Sequence, residues 1–227
     1  MDTKFTPFTD PGSVSAYVLD TPRKVPALAA LHDMTTQLVS ERASASSTIL
    51  VIGAGGGLEI QAMAIARPNW QFIGVDPSPN MLEVARNTTS PYAARTDLIL
   101  GTAVDAPPGP FDGAVCLLTL HFLNREERLQ TLVEIRRRLK PGSVFVAAHH
   151  TAPNGEAEKW LARSAAYSGV AGRNADTIAA SAKTMAQLLP LLTPGEEEAG
   201  FLAAGFRAPE MFFAAFSFRG WVMTAPY

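Results

Sequence analysis

The chain carries one cysteine, Cys116, in 227 residues. A single thiol forms no intrachain disulfide, so a fold held by cross-links is excluded. Cys116 sits in an apolar segment and reads as a small buried side chain. Charge is also scarce. Only 18% of residues are charged and the formal net charge is −2. No long basic stretch offers a footprint for nucleic acid. The one short basic run, Arg136–Lys140 (RRRLK), falls at the end of a predicted helix, where cations suit the helix dipole and solvent. No apolar run reaches membrane-spanning length, and the opening MDTKFTPFTD has no apolar signal region. The expectation is a soluble cytoplasmic protein with neither membrane nor nucleic-acid partner. What is abundant is apolar surface: 47% of residues are hydrophobic, enough for the core of one large domain.

The stretch ILVIGAGGGLE, Ile49–Glu59, organises the rest. A β-branched apolar run stops at a glycine cluster, and a helix is predicted from Leu58 to Arg67. Glycines there permit backbone angles that a Cβ forbids and let a ligand approach the main chain. Gly53, Gly55 and Gly57 are spaced every second residue, and Leu58 stands where a dinucleotide fingerprint needs its last glycine. The next marker is FIGVD, an apolar strand ending in Asp76, an acid suited to both hydroxyls of a ribose.

Along the chain, residues 1–24 hold Pro7, Pro11, Gly12 and Pro22 with Phe5, Phe8 and Tyr17 between them. That punctuation predicts a flap and not a core element. Residues 26–42 carry apolar positions at helical spacing. Strands are predicted at Thr48–Ile52, Trp70–Val75, Asp97–Leu100, Asp112–Leu120 and Ser143–Ala148. Helices are predicted at about Asn80–Asn87 and at Arg125–Leu139, the latter stopped by Pro141-Gly142. This alternation argues an α/β fold: a doubly wound, mostly parallel, seven-stranded sheet with helices on both faces. Two helical stretches follow, Glu156–Tyr167 and Ala175–Leu189. Then come a helix capped by Thr193 and a hairpin, Glu210–Phe216 with Phe218–Met223, which makes one strand antiparallel. The expected organisation is a single domain over residues 1–227, with an N-terminal arm or lid at 1–45 and a helical insertion at 151–192. Phe212, Phe213, Phe216 and Phe218 suit core or the face of a homodimer. Trp160 and Tyr167, seven apart, share a helix face that is either core or a substrate platform.

Strand, glycine loop, helix, strand and Asp76, closed by a terminal hairpin, resemble the class I S-adenosylmethionine (SAM)-dependent methyltransferases. The resemblance covers about residues 48–227. It implies that Gly53, Ala54, Gly55 and Gly57 hold the methionine part of SAM and that Asp76 holds the ribose. Pro77 and Met81 border the adenine, and Leu118 joins the cofactor side. Where the family places an adenine-contacting acid, this chain has Thr102. The Thr102 hydroxyl or Asp105 substitutes, with the amides of Ala103 and Val104 serving the ring. Many members carry an acid on the first strand. This chain has Val51 there, and Glu59 either compensates or is an ordinary first-turn carboxylate. TLHFLNREERLQTLVEIRRRLKPG and AGFRAPEMFFAAFSF are similar to the carboxy-S-adenosylmethionine synthase branch, which holds its extra carboxylate with an arginine of the inserted segment. Residues 174–192 contain only Lys183 as a cation.

Methyl transfer to O, N or C of a small-molecule acceptor is therefore expected, with S-adenosylhomocysteine (SAH) as product. A carboxy-SAM synthase-like activity, a non-catalytic SAM-binding protein and an NAD-dependent oxidoreductase are the other readings. Three of the four histidines map to the cleft side. His149 or His150 is expected to orient or deprotonate the acceptor, and His121 to line the pocket. Adjacent strand residues point to opposite faces, so at most one of His149 and His150 reaches the acceptor. The three histidines as a metal set lack carboxylates at matching spacing, and no metal is expected. Tyr17 is placed either on the acceptor as a lid residue or at the surface as an anchor.

Overall fold

The computed structural model describes residues 11–168 and 175–227. The chain opens with α1 (Pro11–Lys24) and α2 (Leu28–Ser40), then runs β1 (Thr48–Ile52), α3 (Leu58–Ala66), β2 (Gln71–Asp76), α4 (Pro79–Thr88) and β3 (Thr96–Leu100). It continues through β4 (Phe111–Leu117), α5 (Arg125–Arg137) and β5 (Leu139–His150) to α6 (Ala157–Ser168), α7 (Ala175–Leu188), α8 (Pro194–Ala203), β6 (Arg207–Ala215) and β7 (Phe218–Thr224). One seven-stranded sheet has the order β3-β2-β1-β4-β5-β7-β6. β1 pairs in parallel with β2 and β4, β7 antiparallel with β5 and β6. The strand order reverses between β1 and β4, so a crevice opens beyond their C-terminal ends.

Side-chain alternation divides the core. Leu50, Ile52, Phe145 and Ala147 face α5 and α8, with Leu132, Phe201 and Trp221. Ile49, Val51, Val144, Val146 and Ala148 face α2 and α3, with Leu31, Ile60 and Met63. Burial on both faces explains why these parallel strands read as continuous apolar runs. Thr193 caps α8, its hydroxyl accepting from the Glu196 N–H.

Three expectations are corrected. The N-terminal segment is not a punctuated flap: α1 is a helix of 14 residues. Pro11 starts it, where no N–H is needed, and Pro22 lies in the last turn, where its missing donor loses a single bond. Phe5 and Phe8 lie outside the described residues. Secondly, α5 is not stopped by Pro141-Gly142. The chain turns at Arg138, pairs Leu139 with Phe111, and bulges before Val144 pairs with Gly113. Thirdly, the basic run is a solvated helix end only in part: Arg137 and Lys140 are exposed, but Arg138 is not. Arg138 is buried, and its guanidinium donates to the carbonyls of Val104, Ala106 and Pro107.

Cys116 is buried, as expected. Phe213 and Phe218 are core, whereas Phe216 is partly exposed beside Tyr167. Trp160 is half-buried, with the Arg163 and Arg219 guanidinium groups over its ring. Among the described residues no helix is long and apolar enough to cross a membrane.

Candidate functional site

The turn after β1 is shaped by left-handed backbone at Gly53 (φ +72°), Gly55 (φ +47°) and Gly57 (φ +76°). Packing forbids side chains here as well: a Cβ on Gly53 would stand 2.0 Å from Thr119 Oγ1. The Gly53 and Ala54 amides both donate to the Val75 carbonyl, which fastens the loop to β2. At the end of β2, Asp76 Oδ2 accepts from the Gly55 N–H at 2.9 Å and Oδ1 from the Ser78 N–H at 2.8 Å. Asp76 thus braces the loop and the start of α4. Each oxygen keeps lone pairs for further donors. Burial pushes its pKa up, against the pull of the two backbone bonds.

Tyr17 closes this loop from above. Its ring carbon Cδ1 comes within 2.6 Å of where a Cβ on Gly56 would sit, so only glycine leaves room for it. Burial, then Glu59, raise the pKa of its hydroxyl. A cavity of about 10 Å³, room for one water, remains between α1 (Tyr17), α2 (His32), α3 (Glu59) and the end of β4 (Leu117, Leu118). Leu118 has φ +57° and donates its N–H to the Ala148 carbonyl. Glu59 is 8% exposed, and burial, with a smaller push from Asp76, drives its pKa to about 8. Burial takes the His32 imidazole down to about 4. His32 is the residue of this cleft that sequence reasoning missed. It lies on an amphipathic helix, and nothing in the helical pattern marks that turn as facing the glycine loop.

The other expected residues separate. Met81 is buried on α4 against the glycine loop, its Cε 3.7 Å from a Cβ built on Gly55. Pro77 is exposed beside Asp76. Thr102 and Asp105 are exposed and satisfy each other: Asp105 Oδ2 accepts from the Thr102 N–H at 2.8 Å, with its hydroxyl 3.1 Å away. Ala103 is buried between them and Val104 exposed.

The histidines divide by strand alternation. His149 is 0% exposed on the α5–α8 face, with Nε2 2.9 Å from Glu197 Oε1. It therefore lies on the face away from the cavity under Tyr17. His150 points to the other face. Its Nδ1 is 2.7 Å from Ser217 Oγ, which is 2.6 Å from Ser164 Oγ on α6. Burial, then His149, lower the His150 pKa to about 3. His121 accepts from the His150 N–H at 3.4 Å through Nδ1, and burial with its histidine neighbours holds it well below the ordinary range. His121 is buried against His150 and Phe122 and does not line the cavity under Tyr17. His121 and His150 are neutral hydrogen-bonding groups at ordinary pH and weak bases. Among the described residues no group of three or more His, Cys, Asp or Glu could hold a metal ion.

Residues 49–142 match the methyltransferase domain family. This segment is similar to the class I SAM-dependent methyltransferases. The chain is 28% identical over 124 residues to a carboxy-S-adenosyl-L-methionine synthase of Campylobacter lari, covering 55% of this chain and 53% of that one. It is 37% identical over 110 residues to a demethylmenaquinone methyltransferase of Symbiobacterium thermophilum, covering 46% and 43%. The chain spans about half the length of these curated relatives. In fold it is similar to an O-methyltransferase family protein from Burkholderia thailandensis, with a TM-score of 0.68, 15% identity and coverage of 99% and 63%. It is similar also to PigF, solved with SAH, with a TM-score of 0.64, 18% identity and coverage of 96% and 61%.

The cofactor of this class is SAM, and the residues present fit it. The glycine loop leaves a cradle that a Cβ would fill, and Asp76 keeps acceptor capacity for a diol.

Proposed function

We propose that the protein transfers a methyl group from SAM to O, N or C of a small-molecule acceptor entering between α1 and the insertion at 151–192. The observation that carries this reading is the glycine loop at the switch point of the sheet, where Gly53, Gly55 and Gly57 leave the main chain open to close approach and Asp76 braces it. SAM bound there supplies an activated methyl on a sulfonium. The chain's own residues bind, orient and exclude water. Asp76 and the loop fix the nucleoside end, and α1 shields the reacting atoms from solvent. His150, neutral and tied to α6 through Ser217 and Ser164, orients an acceptor by hydrogen bonding and does not deprotonate it. Such a site works by proximity on acceptors that are already nucleophilic.

A carboxy-SAM synthase-like reaction is the second reading, favoured by the likeness to the Campylobacter lari enzyme. The absence of arginine from residues 174–192 speaks against it. The test is calorimetric titration with SAM, SAH, NAD and NADP, together with mass analysis of any ligand that copurifies. Binding of SAM and SAH alone, with methyl transfer to a member of an acceptor panel, is the expected result. A copurifying carboxylated SAM would favour the synthase reading, and binding of NAD would overturn both.

A further inference from the structure

The Glu59 carboxyl is a buried acid of the cleft with no cation beside it among the described residues. It lines the cavity under Tyr17 with little exposure, and it accepts from its own backbone N–H. No salt bridge to Glu59 is found among the described residues. The groups that face it are Tyr17 from α1, His32 from α2, Asp76 at the end of β2 and Cys116 from β4. None brings a positive charge. Tyr17 and Cys116 are neutral acids whose pKa values burial raises, His32 is neutral at pH 7, and Asp76 is a second acid. A buried carboxyl without a cation is costly, and a ligand cation relieves that cost.

Resting on the reading of this cleft as a SAM site, we propose that Glu59 is the anchor for the α-ammonium of the cofactor's methionine end. Of the cofactor's two cationic groups, the sulfonium has no hydrogen to donate, whereas the ammonium has three. Glu59 lies in the first turn of α3, two residues beyond Gly57, and Asp76 lies at the end of the neighbouring strand. The two acids divide the ligand, Asp76 taking the ribose and Glu59 the amino acid. The backbone N–H groups of the same first turn favour the carboxylate of that amino acid.

The inference is tested with SAM, SAH and 5′-methylthioadenosine titrated into wild-type protein and Glu59→Gln. Methylthioadenosine lacks the amino-acid end, and SAH keeps the ammonium but has no sulfonium charge. The expected result is a loss of about 10- to 100-fold for both SAM and SAH, the scale of a charge-assisted hydrogen bond. Methylthioadenosine should bind both proteins equally, which also reports an intact fold. The same titrations in buffers of different ionisation enthalpy should show proton release from wild-type protein at pH 7, since Glu59 is held near 8 until a cation arrives, and none from Glu59→Gln. Equal loss for all three ligands, no loss for any, or a loss confined to SAM overturns the ammonium assignment while leaving the cofactor site standing. Wild-type protein that binds none of the three overturns both.

Discussion

Two buried glutamates on opposite sides of the sheet live by different rules. Glu197, 1% exposed on α8, has its cation built in. Its Oε1 meets Arg128 of α5 and lies 2.9 Å from His149 Nε2. Burial alone would raise its pKa, yet His149 and then Arg128 hold it below the ordinary range. Glu59, 8% exposed on α3, is surrounded by Tyr17, His32 and Asp76, and its pKa rises to about 8. The difference separates architecture from site. An acid whose partners come from the chain stabilises the fold, and an acid left without one is ready for a ligand.

The comparison breaks most visibly at Arg128. Arg128→Met takes the buried guanidinium from Glu197, and unfolding in urea should show a loss of about 3–5 kcal/mol. Adding Glu197→Leu should recover most of it, because the uncompensated charge goes too. A single-variant loss below 1 kcal/mol would mean that the pair is no stronger than an exposed one.

The second test uses the sign of the pH dependence. Glu59 has a folded pKa near 8 against an ordinary 4.5, so between these values the folded state holds the proton and the unfolded state does not. Stability therefore falls as pH rises through that window. Glu59→Gln removes the penalty: it should match wild type near pH 4 and exceed it by about 2–4 kcal/mol at pH 8. Glu197 has the opposite sign, with a depressed folded pKa, so its contribution is present above 4.5 and lost as pH falls through the folded value. Parallel unfolding curves for Glu59→Gln and wild type from pH 4 to 8 would remove the contrast.

Much of the sheet is legible in the sequence because strands buried on both faces must be apolar throughout. Thr48–Ile52 is observed with the predicted bounds. The glycine loop and Asp76 were legible for a related reason, since their backbone demands select residue type. Contacts between distant segments were not. Arg138 looks like its neighbours Arg136 and Arg137 until carbonyls from residues 104 to 107 are folded onto it. Alternation foretold that His149 and His150 part, but not which one meets Glu197, because that depends on where α8 lands. His32 needed α2 to be docked before it could be placed. Tyr17 reads in the sequence as a lid residue or a surface anchor, and its seat on Gly56 is visible only once α1 is docked.

Within the cleft, Asp76→Ala sharpens the division of the ligand. It should weaken SAM by about 1.5–3 kcal/mol, as loss of ribose hydrogen bonds requires. Unlike Glu59→Gln, it should weaken methylthioadenosine by the same amount. Calorimetry on both ligands checks this, and a loss for SAM alone would move Asp76 from the ribose to the amino-acid end.

The smallest expected effect lies where the two regions meet, at the end of β5. His150, unlike His149, has no carboxylate: Ser217 satisfies it, and Ser164 links Ser217 to α6. Ser164→Ala removes a neutral hydrogen bond and also the acceptor for the Ser217 N–H. A cost of about 1 kcal/mol in unfolding is expected. Because α6 belongs to the cover and not to the glycine loop, SAM affinity should stay within about twofold, a difference below 0.5 kcal/mol. If that substitution weakened SAM as much as Asp76→Ala does, the serine pair would belong to the cofactor site, and the line drawn between cover and cradle would have to move.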